Sequence, residues 1–208
     1  MAMTHFKQLE KELSSIKTLS AGVGVNAFYA QEVLRFYSIA GTLLENFDLD
    51  DTASVDQRYL SHILSRSLLE NYFWILYLYD DPSKKNSRYD SLIDSFKKDY
   101  FKLMNEPMLN HKNDFEPADP AWKTITKGLD INSMLAQVKN DYGDRLSYIY
   151  FVYRISSFDT HGKNLSTIFQ SVFGKQANFP ILKLKYAFDL IANQYLVVLK
   201  ELKDSGEI

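Results

Sequence analysis

Apolar side chains recur at the three- and four-residue spacing of an α-helix along almost all of this 208-residue chain, and few residues interrupt the pattern. Glycine occurs 8 times and proline 5 times, both well below their usual shares of roughly 7% and 5%. So few chain breakers leave little room for the tight turns of a β-sandwich or for glycine-rich nucleotide loops. The sequence therefore predicts an all-α fold with well over half of its residues in helices.

The breakers divide the helical pattern into a bundle of seven or eight helices, which we expect to form one domain over residues 1–208. A first helix and its break occupy residues 1–24. Residues 106–128 hold three of the five prolines, and a loop of this length is either a functional lid or a disordered connector. The predicted helices span about 4–19, 26–46, 55–79, 84–105, 131–140, 145–161, 164–174 and 180–203.

Local signals mark some helix ends. Ser54 with Gln57 three residues later forms a capping box at the start of the third helix. Asp144 is a plausible N-cap and Gly162 a natural C′ residue for the helix over 145–161. The second half of the third helix is apolar on nearly every side, which is typical of a central, buried helix.

Composition excludes several classes of site. The chain has no cysteine and only four histidines, and it contains no zinc, P-loop or dinucleotide-binding motif. We therefore predict no metal and no cofactor. We expect His5 and His111 to be surface residues.

Net charge and hydropathy indicate which ligands the protein can bind and where in the cell it is located. A net charge of −2 gives no overall attraction to nucleic acid or to an anionic membrane, so we do not expect a reader of DNA sequence. The N-terminus lacks the apolar core of a signal peptide, and no apolar run approaches the ~20 residues of a membrane span. The sequence predicts a soluble cytoplasmic protein without a membrane anchor.

Two of the six arginines interrupt the most apolar helices, Arg66 in the third and Arg154 in the helix over 145–161. A buried charge is costly unless it is paired. Glu70 lies one helical turn after Arg66 and His62 one turn before it, so the three form a polar ridge. The simplest interpretation is a buried ion pair that fixes helix register, with His62 as a core histidine whose ring nitrogens are satisfied.

A second ridge contains Arg154 and His161, which are seven residues apart and point within ~20° of each other on a helix. Ser157 lies between them on that side, and Tyr153 and Asp159 flank it. A phosphate could bridge the ~10 Å between Arg154 and His161, and a titratable histidine near a fixed cation suits phosphodiester chemistry. The alternatives are an arginine whose stem packs on aromatic rings and a histidine that only caps its helix.

The spacing of Arg154 and His161 matches the R-x(4–6)-H signature of the HEPN superfamily, an all-α nucleotide-binding fold. The wider pattern resembles an uncharacterised bacterial helical family related to it. That pattern is Arg66-x-x-x-Glu70 followed downstream by Tyr153-Arg154-x-x-Ser157-x-x-x-His161-Gly162.

Many proteins of this superfamily are metal-independent ribonucleases of toxin–antitoxin and antiphage systems, while others only bind nucleotides or partners. They usually dimerise, so that two copies of the motif form one cleft. The resemblance implies that Arg154 holds the scissile phosphate and that His161 transfers a proton at the ribose 2′-OH. It also implies RNA or a nucleotide as ligand and a homodimer as the assembly.

Two hypotheses of function follow, and the sequence leaves open whether the protein is an endoribonuclease. In the first it is a ribonuclease or nucleotide-binding effector of a defence or toxin–antitoxin system. In the second it is a non-catalytic protein-interaction domain in which the same arginine, glutamate and histidine residues form a buried polar lock. The exposure of Arg154 and His161 separates the two, because an enzyme needs both in solvent. In either case we expect the ridge of Arg66 and Glu70 to face the helix of Arg154.

Overall fold

Eight α-helices hold most of the chain in the computed structural model, which describes residues 3–50, 52–109, 111–161, 165–175 and 182–208. No β-strand occurs in these ranges, so the all-α prediction is confirmed. The helices are α1 (Thr4–Ser20), α2 (Val25–Asn46), α3 (Val55–Tyr79), α4 (Lys85–Met104), α5 (Ile131–Leu135), α6 (Asp144–Thr160), α7 (Leu165–Phe173) and α8 (Leu184–Asp204).

The start of α3 follows the predicted capping box. The backbone N–H of Ser54 donates to Gln57 Oε1 at 3.0 Å, and the N–H of Gln57 donates to Ser54 Oγ at 3.1 Å. These bonds satisfy two N–H groups that a helix start otherwise leaves unpaired. The apolar second half of α3 is buried, as its pattern predicts, at Leu68, Leu69, Tyr72, Phe73, Ile75, Leu76, Tyr77 and Leu78.

Three predicted helix ends are wrong. The last helix, predicted from about 180, begins at Leu184, and the N–H of Lys183 before it donates to the Tyr148 hydroxyl at 3.1 Å. The helix predicted over 131–140 ends at Leu135, and the N–H of Lys139 donates instead to the carboxylate of Asp80 at 3.1 Å. The N-cap of α6 is Gly143, whose φ of 50° suits glycine, rather than Asp144. Asp144 is the first residue of the helix and accepts a hydrogen bond from the Tyr186 hydroxyl at 2.7 Å. Gly162 lies outside the described residues.

The described residues form two compact units. One comes from residues 1–75 and 140–208 and the other from residues 76–139. The first contains α1, α2, most of α3, α6, α7 and α8, and the second contains the end of α3 with α4 and α5. The expectation of one domain over residues 1–208 stays a prediction.

Aromatic rings fill the core of the first unit around Tyr195 of α8. The centroid of its ring lies 5.3 Å from that of Phe36, 6.1 Å from that of Tyr29 and 6.3 Å from that of Tyr72. The hydroxyl of Tyr29 donates to the backbone carbonyl of Tyr195 at 2.6 Å. The edge-on contacts with Phe36 and Tyr29 are an arrangement that aromatic pairs favour, so α2, α3 and α8 share one core.

The first turn of α1 takes its cap from α8. Asp189 accepts hydrogen bonds from the backbone N–H groups of His5 at 2.8 Å and Phe6 at 3.1 Å, and its second oxygen lies 2.9 Å from His5 Nδ1. A carboxylate at this position complements the partial positive charge of the helix start. His5 therefore lies at the surface in a contact between helices, with 39% of its side chain exposed.

The described part of residues 106–128, a segment predicted as a lid or a connector, packs along α4 within the second unit. It includes two short 3-10 helices, Lys112–Asp114 and Pro120–Thr124. The hydroxyl of Tyr100 donates to the carbonyl of Glu116 at 2.7 Å, and its ring meets that of Trp122 with centroids 6.2 Å apart. Among the helices described, none is long and apolar enough to cross a bilayer.

Candidate active site

Arg66 of α3 contacts α6 at two points. Its Nε donates to Ser157 Oγ at 2.9 Å, and its guanidinium carbon lies 3.7 Å from the centroid of the Tyr153 ring. Its Nη1 also lies 2.7 Å from Glu70 Oε1, one helical turn along α3. The Arg66 side chain is 11% exposed, so these contacts replace most of its hydration. The expectation that this ridge faces the helix of Arg154 is confirmed for Arg66.

Ser157 is oriented for this contact by its own helix. Its hydroxyl donates to the Tyr153 carbonyl at 2.7 Å, which leaves the oxygen lone pairs to accept from Arg66. Burial raises the pKa of the Tyr153 hydroxyl, an effect that the Arg66 charge partly opposes. The Ser157 hydroxyl therefore reaches α3, from a helical position ~60° from Arg154 and ~40° from His161.

His62 forms the second contact, one turn before Arg66. Its Nδ1 lies 2.6 Å from Asp159 Oδ2, and the two side chains are 14% and 8% exposed. A carboxylate only accepts hydrogen bonds, so the proton of this bond belongs to His62 Nδ1. The sequence predicts Asp159 at the flank of the ridge of Arg154 and His161, whereas the structure pairs it with His62 of α3.

These contacts make a polar set between α3 and α6, buried except at Glu70, which we call the polar lock. Every cation in it has an acceptor or a ring beside it, as burial of charge requires. The lock resembles the buried arrangement of the second hypothesis, but Arg154 and His161 are not part of it. Its members are His62, Arg66, Glu70, Tyr153, Ser157 and Asp159.

Arg154 and His161 lie on the solvent side of α6, and both are exposed. Neither forms an ion pair with any part of the chain that the structure describes. The Arg154 guanidinium carbon lies 6.0 Å from the Tyr150 ring centroid. His161 follows the last residue of α6, and its N–H donates to the Ser157 carbonyl at 3.2 Å. The imidazole therefore lies at the C-terminal, negative end of the α6 dipole.

Two exposed phenylalanines share this side of α6. Phe151 is 38% and Phe158 is 44% exposed. Together with Arg154 and His161 they fall within an arc of ~80° at 100° per residue. We call these four residues the outer face of α6. Sequence reasoning missed the two rings because it took aromatic residues at helical spacing for core; the available signal was their alternation with Arg154 and His161.

Within the described ranges, no three histidine, aspartate or glutamate side chains come together as a metal site would require. Comparison with known proteins gives no match, whether with family models, curated proteins or solved structures. The resemblance to the HEPN superfamily thus depends on the quoted residues alone. The interpretation of function depends on the geometry of α3 and α6.

Proposed function

We propose that the protein is a metal-independent, cytoplasmic ribonuclease of a HEPN-like defence or toxin–antitoxin system, and that Arg154 and His161 form its active site. The observation that carries this proposal is the exposure of both side chains on one side of α6. The rival hypothesis needs them paired inside the bundle. The polar lock supports the proposal in a second way, because it fixes α6 against α3 and so holds the site on a rigid element.

The chemistry assigned to each residue follows from its charge. Neutral His161 takes the proton of a ribose 2′-OH, and the 2′ oxygen then attacks the adjacent phosphorus. The bond from phosphorus to the 5′ oxygen breaks, and that oxygen takes a proton from water. Arg154 stabilises the extra negative charge on the phosphoryl oxygens in the transition state.

The test is cleavage of a single-stranded RNA by wild-type protein and by Arg154→Ala and His161→Ala. We expect each variant to lose at least about 100-fold in rate, equivalent to ~3 kcal/mol of transition-state stabilisation. EDTA should not inhibit the wild type. Both variants should keep the wild-type melting temperature, because exposed residues contribute little to packing. Lys200→Ala, at an exposed position of α8, is the matched control. A wild type without cleavage activity contradicts the proposal.

A non-catalytic protein-interaction domain is the second candidate. The observation in its favour is the apolar exposed surface of α7, where Ile168, Val172 and Phe173 are 51%, 66% and 60% exposed. Apolar surface of this kind often binds another protein. Absence of RNA cleavage by the wild type would favour this candidate.

A further inference from the structure

The outer face of α6 alternates rings with cations, in the order Phe151, Arg154, Phe158, His161. The two rings are seven residues apart, which places their Cα atoms ~10 Å apart along the helix axis and within ~20° of the same direction. Arg154 lies between them along the axis. A ligand that contacts both rings therefore also lies close to the Arg154 guanidinium.

The two rings are available to a ligand. Phe151 and Phe158 expose more than a third of their surface. The Phe151 ring is held on one side by the ring of Tyr148, with centroids 6.1 Å apart and planes tilted by 41°. Single exposed apolar residues are common on proteins, but two aromatic rings on either side of an exposed arginine form a specific combination.

We infer that the outer face of α6 is a stacking platform for unpaired RNA bases, an inference that rests on the proposed function. Phe151 and Phe158 stack on the bases, and Arg154 binds a phosphate between them. Every base has a π face, so stacking of this kind tolerates any sequence, whereas the bases of a duplex are already stacked on one another. The platform therefore selects single-stranded over double-stranded RNA and does not select a sequence.

Charge favours this ligand over a protein partner. Both polar members of the outer face are able to carry positive charge, and neither has an acidic partner among the described residues. An RNA strand supplies regularly spaced negative charges together with flat rings, which matches the alternation on α6. A protein partner at this face is an outcome that the experiment detects.

The experiment measures binding of a fluorescein-labelled 12-nucleotide 2′-O-methyl oligouridine by fluorescence anisotropy. This probe has no 2′-OH, so it is not cleaved and binding is read separately from catalysis. Phe151→Leu and Phe158→Leu keep apolar side chains but remove the rings. Each should weaken binding by about fivefold or more. Phe96→Leu, at a 65% exposed ring on α4, is the matched control and should bind as the wild type does.

Two further probes separate stacking from charge. An abasic oligomer with the same phosphates should bind the wild type more weakly than oligouridine does, and the two leucine variants should bind it as the wild type does. The duplex with oligoadenosine should also bind the wild type more weakly. The slope of the logarithm of the binding constant against the logarithm of salt concentration reports the number of phosphate contacts. Arg154→Ala should reduce the size of this slope by ~0.7, the value for one phosphate of a single strand, whereas the leucine variants should leave it unchanged.

Failure of this inference differs from failure of the proposed function. Wild-type affinity of both leucine variants for oligouridine, with cleavage of RNA that depends on Arg154, overturns the stacking platform alone. Ring-dependent binding without any cleavage overturns the ribonuclease alone. No binding of oligouridine by the wild type overturns the platform. The platform is also overturned if Phe158→Leu changes the oligomeric state of the protein but binds RNA with wild-type affinity. That result would identify the outer face of α6 as a protein interface.

Discussion

Arg66 and Arg154 have the same side chain in helices that contact each other, yet their surroundings differ. Arg66 is bonded to Ser157, paired with Glu70 and stacked on Tyr153, and it is largely buried. Arg154 faces solvent. A side chain that is buried with its partners contributes to stability, and its loss leaves those partners without hydration or a bond. An exposed arginine is free to contribute to function instead.

We therefore expect Arg66→Met and Arg154→Met to separate stability from function. Arg66→Met should lower the free energy of unfolding by about 1–3 kcal/mol. Arg154→Met should change it by no more than ~0.5 kcal/mol. Urea denaturation of the two variants measures both values. Equal losses in the two variants would contradict the division between polar lock and outer face.

Glu32 gives the molecule a predictable response to pH. Burial raises the pKa of its carboxyl above the ordinary 4.5, although the Arg35 charge and a hydrogen bond from Asn71 partly oppose the shift. The folded protein thus holds this proton to a higher pH than the unfolded chain does. The contribution of Glu32 to stability is therefore present at low pH and falls as pH rises from 4.5 through the folded pKa.

Glu32→Gln removes this titration but keeps an oxygen that accepts from Asn71. Relative to the wild type, the variant should become more stable as pH rises across that window. Chemical denaturation of both proteins between about pH 4 and pH 7 gives the difference in free energy of unfolding. A difference that stays constant, or that shifts in favour of the wild type with rising pH, would contradict the argument.

Only some of the side-chain contacts of the candidate site could be predicted from the sequence. Helical spacing placed His62, Arg66 and Glu70 on one ridge and predicted that this ridge meets the helix of Arg154. The bond between His62 and Asp159 was not predictable, because the two residues are 97 positions apart and their pairing depends on how α3 crosses α6.

At the scale of the elements, sequence predicts a helix end where the signal is local. The capping box of Ser54 and Gln57 predicts the start of α3 at Val55 because its bonds join residues three apart. After α5, the N–H of Lys139 bonds to Asp80, which lies far upstream in the chain. No local pattern contains that information.

The packing of residues 106–128 on α4 predicts opposite effects for two glycine substitutions. A Cβ on Gly128 would lie 2.6 Å from Ser95 Cβ, whereas a Cβ on Gly41 of α2 would meet no atom within 4 Å. Gly128→Ala should therefore lower the free energy of unfolding by about 1–3 kcal/mol. Gly41→Ala should raise it by about 0.5–1 kcal/mol, because alanine favours a helix.

Thermal or urea denaturation of the two glycine variants measures the sign of each change in the free energy of unfolding. A neutral Gly128→Ala would mean that residues 106–128 do not lie close to α4. A destabilised Gly41→Ala would mean that the space beside Gly41 on α2 is filled in solution.

For the whole molecule we predict a two-fold homodimer, which the proposed function requires if two copies of the Arg154 and His161 pair form one cleft. Exposed apolar residues on α7 provide surface that an isolated chain leaves in water. Light scattering at micromolar concentration should give twice the 24.1 kDa of one chain. A mass of one chain would contradict the prediction.

The hydrogen bonds from the start of α1 to Asp189 also mean that the first unit cannot finish folding until α8 has been synthesised. The first unit needs residues from both ends of the chain, so a nascent chain has no cap for α1 and no Tyr195 for its aromatic core until α8 has been made. Residues 76–139 are continuous and can complete their own contacts earlier. A ribosome-bound chain that stops before α8 therefore presents the rings of Tyr29, Phe36 and Tyr72 without their partner, and is the form most in need of a chaperone.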